Sequence, residues 1–138
     1  MTTRILIMGL PGAGKTTLAE ALRIAIWEEG RTCSWINADE VRRHFNDWDF
    51  SREGRIRQSL RMYELSLEAN TDYCIVDFVA PLVEMRDNFK PDFVIWVDTI
   101  KSSRFPDTDA IFVQPEQPNV RVTEQDAERW AAEIVKLL

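Results

Sequence analysis

The chain has 138 residues, 45% of them hydrophobic and 29% charged, with a formal net charge of −6. That length permits one core that buries about two-thirds of the unfolded surface without disulfide support, so a single domain over residues 1–138 is expected. Its apolar runs are too short for a bilayer-spanning helix. Thr3 leads directly into the first of them, leaving no room for a signal peptide and predicting a cytoplasmic site of action, and the acidic balance argues mildly against nucleic acid as partner without excluding it.

Residues 4–8 read as a buried strand and residues 15–29 as a helix with Leu18, Leu22, Ala25 and Ile26 on one face. Between them lies Gly9-Leu10-Pro11-Gly12-Ala13-Gly14-Lys15-Thr16. Small residues let successive backbone N–H groups turn inward around phosphates, Lys15 reaches the β and γ phosphates, and Thr16 offers a hydroxyl to Mg²⁺. The following helix directs its positive end at the same anion. Strand, loop and helix together imply a nucleoside triphosphate site.

Gly30 ends the first helix, and residues 32–37 form a short strand that delivers Asp39 to its C-terminal edge. A helix is expected from about Glu40, with a break over residues 46–50 and a restart capped by Ser51, whose apolar face carries Ile56, Leu60, Tyr63 and Leu67. Residues 73–78 are a continuous apolar run holding a second acid, Asp77, the pattern of a strand buried on both faces. A short helix from Pro81 to about Asn88 and a strand over residues 92–97 follow. Residues 99–119 carry Pro106, Pro115 and Pro118 and read as a long functional loop. Residues 120–122 supply a last strand, and Thr123 with Asp126 forms a helix-opening box before Ala127, Trp130, Ala131, Ile134, Val135 and Leu138. This alternation specifies an α/β fold of the P-loop NTPase kind, a doubly wound sheet of about five parallel strands flanked by helices. Cys33 and Cys74 lack metal-ligand spacing and are expected to be reduced, buried thiols.

Three elements converge at the strands' C-terminal edge: the loop, Asp39 and Asp77. Asp77 suits an Mg²⁺ role, and Asp39 suits accepting a proton from an attacking hydroxyl. Behind Asp39 the segment from Arg42 to Arg61 holds six arginines, of which Arg42 and Arg55 are the expected anion ligands, Arg being suited to bidentate recognition of phosphate, sulfate or carboxylate. His44 is read as a surface or packing residue. Trp27 or Trp48, if exposed, would mark a homodimer contact, although isolated tryptophans more often pack in cores.

Several of these stretches resemble the adenylylsulfate kinase branch of P-loop kinases, which phosphorylate the 3′-hydroxyl of adenosine 5′-phosphosulfate. Residues 9–17 resemble the family's loop, Asn37-Ala-Asp-Glu-Val-Arg42 its Asp-Gly-Asp-Asn-Val-Arg motif, Phe50-Ser-Arg-Glu-Gly-Arg55 its Phe-Ser-x-x-x-Arg motif, and Phe78-Val-Ala-Pro81 its Phe-Ile-Ser-Pro turn. The resemblance implies an ATP- and Mg²⁺-dependent kinase. Gly9, Gly12, Ala13, Gly14, Lys15, Thr16, Thr17 and Arg104 would bind ATP, and Asp39, Arg42, Phe50, Arg55 and Phe78 the nucleotide acceptor. Phe50 would stack on adenine, Lys15 and Asp39 would be catalytic, and Thr16, Asp39 and Asp77 would serve the metal.

Some positions depart from that pattern. Asn37 replaces the motif's first acid, Gln58 an Asn, Ala80 a Ser and Val83 an Arg, while Asp77 is atypical at its place. The family's basic lid is shortened to a segment whose cations are Lys101 and Arg104, as in compact phage-encoded proteins of this branch. Two other readings therefore stand beside adenylylsulfate as acceptor: a kinase for another hydroxyl, such as a hydroxymethylated pyrimidine in phage DNA, and an ATP-binding protein without transfer activity.

Overall fold

The computed structural model describes residues 1–138. Its strands are β1 (Thr3–Met8), β2 (Cys33–Asn37), β3 (Tyr73–Asp77), β4 (Phe93–Val97) and β5 (Val120–Val122), and its helices α1 (Lys15–Glu28), α2 (Ala38–Phe45), α3 (Arg52–Leu67), α4 (Val83–Phe89), α5 (Pro106–Ile111) and α6 (Ala127–Val135). All strands are parallel in the order β2-β3-β1-β4-β5, which is the doubly wound sheet expected. Because the chain winds outward from β1 in both directions, the loop after β1 lies at the switch point where such sheets bind ligands.

Burial on both faces explains the unbroken apolar strands. Ile5, Ile7, Ile75 and Ile95 meet Leu18, Leu22 and Ile26 of α1 and Ile134 of α6 on one side. Leu6, Met8 and Val76 meet Met62 of α3 and Met85 and Phe89 of α4 on the other. Local signals set the helix ends: Ser51 Oγ accepts the Gly54 N–H as N-cap of α3, and left-handed Asn46 and Lys90 close α2 and α4. Cys33 and Cys74 are free thiols, and burial pushes Cys33 up to about 12.

Four expectations need correction. Of the expected apolar face of α3, Ile56 and Tyr63 pack against the core, but Leu60 and Leu67 are exposed while Arg55, Gln58, Ser59, Met62 and Ser66 are buried. Ser59 and Ser66 donate to the carbonyls of Ile56 and Tyr63 in their own helix, and Asn88 of the α4 side donates to Ser59, so small, satisfied hydroxyls form the contact. Gly54 is required there because a Cβ would lie 2.2 Å from the Asp49 carbonyl oxygen. Second, the 99–119 loop contains α5, opened by Pro106 at N1 with Asp107 and Asp109 in the first turn. Third, Asp126 is the N-cap of α6 but makes no side-chain cap bond; its carboxylate accepts from Arg129 instead, so the expected box is absent. Fourth, α4 starts at Val83 with Pro81 outside it. Trp27 and Trp48, for which both a surface and a core place were open, are exposed.

Candidate active site

A cleft of about 980 Å³ opens along the strands' C-terminal edge. At one end the phosphate loop presents Gly12, Gly14, Lys15, Thr16 and Thr17 to it. Gly9 does not line the cleft but makes the loop possible, since a Cβ there would sit 2.5 Å from the Val97 carbonyl oxygen. Ala13 is buried behind the loop, where its carbonyl accepts from Thr99 Oγ1 at 2.6 Å and Gln125 Nε2 at 3.3 Å. Those two braces come from the β4 and α6 sides, and no local signal near the loop announced them.

Lys15 Nζ donates to the Leu10 carbonyl at 3.0 Å, and burial lowers its pKa to about 8 against the opposing pull of Asp77 and Asp39. Asp77, at the end of β3, is 2% exposed. Trp35 Nε1 donates to its Oδ2 at 2.6 Å, and Asn37 Nδ2 lies 3.1 and 3.2 Å from its two oxygens. Burial raises the Asp77 pKa while these donors and Lys15 oppose the rise. Asp39 sits exposed in the first turn of α2, at the cleft wall. Gln58 steadies that turn: its Nε2 donates to the Ala38 carbonyl at 3.0 Å.

The far side of the cleft is made by side chains from separate segments. Phe50 is half exposed, with the Arg42 guanidinium 4.2 Å and that of Arg55 5.5 Å from its ring centroid. Arg55 lines the cleft and is anchored by Nε to the Phe50 carbonyl and by Nη2 to Thr108 Oγ1 of α5, both at 2.9 Å. Arg42 does not reach the cleft. Its Nη1 donates to the carbonyls of Asp47 and Asp49, so it holds the 46–50 turn and backs the Phe50 ring. Its neighbour Arg43, one step around α2, lines the cleft instead, as does the exposed Trp48. Phe78 and Arg104 also line it. The Arg43 position was open to reading, because successive helical residues point about 100° apart; Thr108 carried no signal in its own segment.

A profile of adenylylsulphate kinase matches residues 1–99. The chain belongs to the adenylylsulphate kinase family. It is 29% identical to the adenylyl-sulfate kinase of Clostridium acetobutylicum over 148 residues, covering 87% of this chain and 74% of that protein. With the chloroplastic adenylyl-sulfate kinase 1 of Arabidopsis thaliana it shares 35% over 86 residues, covering 60% of this chain and 31% of that protein, so it spans less than a third of that relative. Its fold matches the APS kinase CysC of Mycobacterium tuberculosis, solved in complex with AMPPNP and APS, with a TM-score of 0.81, 21% identity and coverage of 99% of this chain and 96% of that one. The family match includes the loop, Asp39, Phe50, Arg55, Asp77 and Phe78, and ends before Arg104 and α5. The segment beyond the match adds Arg104, Phe105, Pro106, Asp107 and Thr108 to the cleft lining.

Proposed function

We propose that the chain is an ATP-dependent kinase, one domain over residues 1–138, that transfers the γ-phosphate to the 3′-hydroxyl of adenosine 5′-phosphosulfate, giving 3′-phosphoadenosine 5′-phosphosulfate and ADP. One observation carries this reading: Lys15 and Thr16, the Asp39 carboxylate, and Arg43, Phe50 and Arg55 line the same cleft. A triphosphate hydrolase has no need of the aromatic and cationic wall, and a nucleotide-gated binder has no need of Asp39 beside it. The volume is at the upper end of ordinary ligand pockets, as two nucleotides require.

In this reading the loop N–H groups and Lys15 hold the β and γ phosphates and offset the charge of the transfer, Arg104 closes over ATP, and Phe50 stacks on the acceptor base between Arg42 and the ligand. Arg55 and Arg43 bind the anionic end, and Phe78 borders the acceptor. Asp39 takes the proton of the 3′-hydroxyl as its oxygen bonds to the γ-phosphorus and the bridging P–O bond to ADP breaks. Thr16, Asp39 and Asp77 are hard oxygen donors, and no group of three or more acids, imidazoles or thiols is assembled as a cage. That set fits Mg²⁺, which favours one or two carboxylates together with phosphate oxygens and water. When bound, Mg²⁺ would supply charge neutralisation at the β and γ phosphates. A homodimer marked by exposed Trp27 or Trp48, and a cytoplasmic site of action, belong to the same proposal; no helix is long and apolar enough to cross a membrane.

Incubation with ATP, Mg²⁺ and adenosine 5′-phosphosulfate should form equal amounts of ADP and the 3′-phosphorylated product, resolved by ion-exchange chromatography. ADP without phosphorylated acceptor means hydrolysis and overturns the proposal. Product only in a parallel arm with hydroxymethylated-pyrimidine DNA moves the acceptor to that class.

A further inference from the structure

Asn37 and Trp35 have no part in the reaction described above, yet both converge on Asp77. They project from the same face of β2, two residues apart, and Asn37 is the direct register partner of Asp77 on β3. The Asn37 amide is used at both ends. Its Oδ1 accepts the Glu40 N–H at 3.1 Å as N-cap of α2, which fixes the orientation of the group. Nδ2 is therefore aimed at the site, 3.3 Å from Thr16 Oγ1 and 3.1 Å from Asp77 Oδ1. Trp35 Nε1 holds Oδ2 of the same carboxylate at 2.6 Å.

Asp77 is buried without an ion pair, although a buried carboxylate ordinarily has one. The donors in contact with it, Trp35 and Asn37, are neutral, and Lys15 acts on its charge only from beyond ion-pair distance, which suits a carboxylate whose direct partner arrives with the ligand. An Asp at position 37 could still cap α2, but it would set carboxylate against carboxylate at Asp77 and draw the Thr16 hydroxyl proton toward itself, turning the hydroxyl from acceptor to donor.

Resting on the kinase reading, we propose that Asn37 and Trp35 are positioning residues that lock the Asp77 carboxylate and the Thr16 hydroxyl into one unit for the Mg²⁺ of MgATP, with the Asn37 amide as the link. Partners of this kind change metal affinity by about 10- to 100-fold when altered.

The test is calorimetric binding of the non-hydrolysable analogue AMPPNP with and without Mg²⁺, which needs no acceptor. The quantity read is the affinity gain that Mg²⁺ confers. Asn37→Asp should reduce that gain by about tenfold or more while leaving metal-free binding in place. Trp35→Phe, which keeps an aromatic ring and removes the donor, should reduce it less. The exchange Asn37→Asp with Asp77→Asn should recover it relative to either single change, a coupling that independent sites do not show. Thermal melting of each variant checks folding, and Trp35→Phe carries the test if Asn37→Asp does not fold. An unchanged gain in both Asn37→Asp and Trp35→Phe overturns the positioning role, and so does an exchange variant no better than the single changes. Wild-type protein that binds AMPPNP in neither condition overturns the kinase reading and this inference together. A normal Mg²⁺ gain without turnover of adenosine 5′-phosphosulfate overturns only the acceptor.

Discussion

The two ends of the cleft are built in different ways. The donor end is one continuous loop whose shape comes from its own glycines and whose ligands are backbone N–H groups, Lys15 and Thr16. The acceptor end is assembled from the 46–50 turn, α3, the residues after β3 and α5, joined by side-chain bonds such as Arg42 to Asp47 and Arg55 to Thr108. Under the proposed function, a single motif would therefore specify triphosphate binding, whereas acceptor choice would be distributed over distant residues.

The sharpest break of that division is Lys15→Ala, which should reduce phosphoryl transfer by on the order of a thousandfold while thermal melting changes little. Steady-state rates with each substrate saturating will show it. Phe50→Ala should act on the other end only, raising the acceptor KM by about tenfold through lost stacking and leaving the ATP KM in place. An equal change in both constants would mean the two ends are one unit.

Thr108→Val tests how the acceptor end is held together. It leaves the buried Arg55 guanidinium one hydrogen-bond partner short, at a cost of about 1–3 kcal/mol, read as a lower melting temperature and a raised acceptor KM. The smallest effect concerns Asp47, whose carboxylate is held well below its usual range by Arg57 first and then Arg61. A carboxylate depressed in the folded state stabilises above the unfolded pKa of about 3.9 and loses that contribution as pH falls below it. Asp47→Asn should flatten the decline of melting temperature below about pH 4, where the wild type falls more steeply.

The same contrast explains what was legible in the sequence. Strand runs, the loop, the Ser51 cap and the break at 46–50 are local patterns, and all are present. The buried face of α3 is hard to read because serines and Arg55 are normally surface residues: Ser59 and Ser66 satisfy their hydroxyls within the helix, and Arg55 gains Thr108 only when α5 arrives. The expected placement of Arg42 toward the ligand fails because the carbonyls of Asp47 and Asp49 claim its guanidinium, a contact no local pattern announces, whereas the place of Arg43 at the cleft follows from helical geometry. The α5 helix is six residues long, too short for an apolar period to declare itself. Asn37 and Asp77 each stand out in the sequence, but their register across β2 and β3 is a property of the sheet.

The bonds to the Ala13 carbonyl bear on how a growing chain reaches this fold. Thr99 and Gln125 lie 86 and 112 residues further along. β1 also needs β3 and β4 before it has neighbours. Residues 9–16 therefore receive part of their support from residues far along the chain, so the shape of the phosphate loop depends on docking of the segments that carry Thr99 and Gln125.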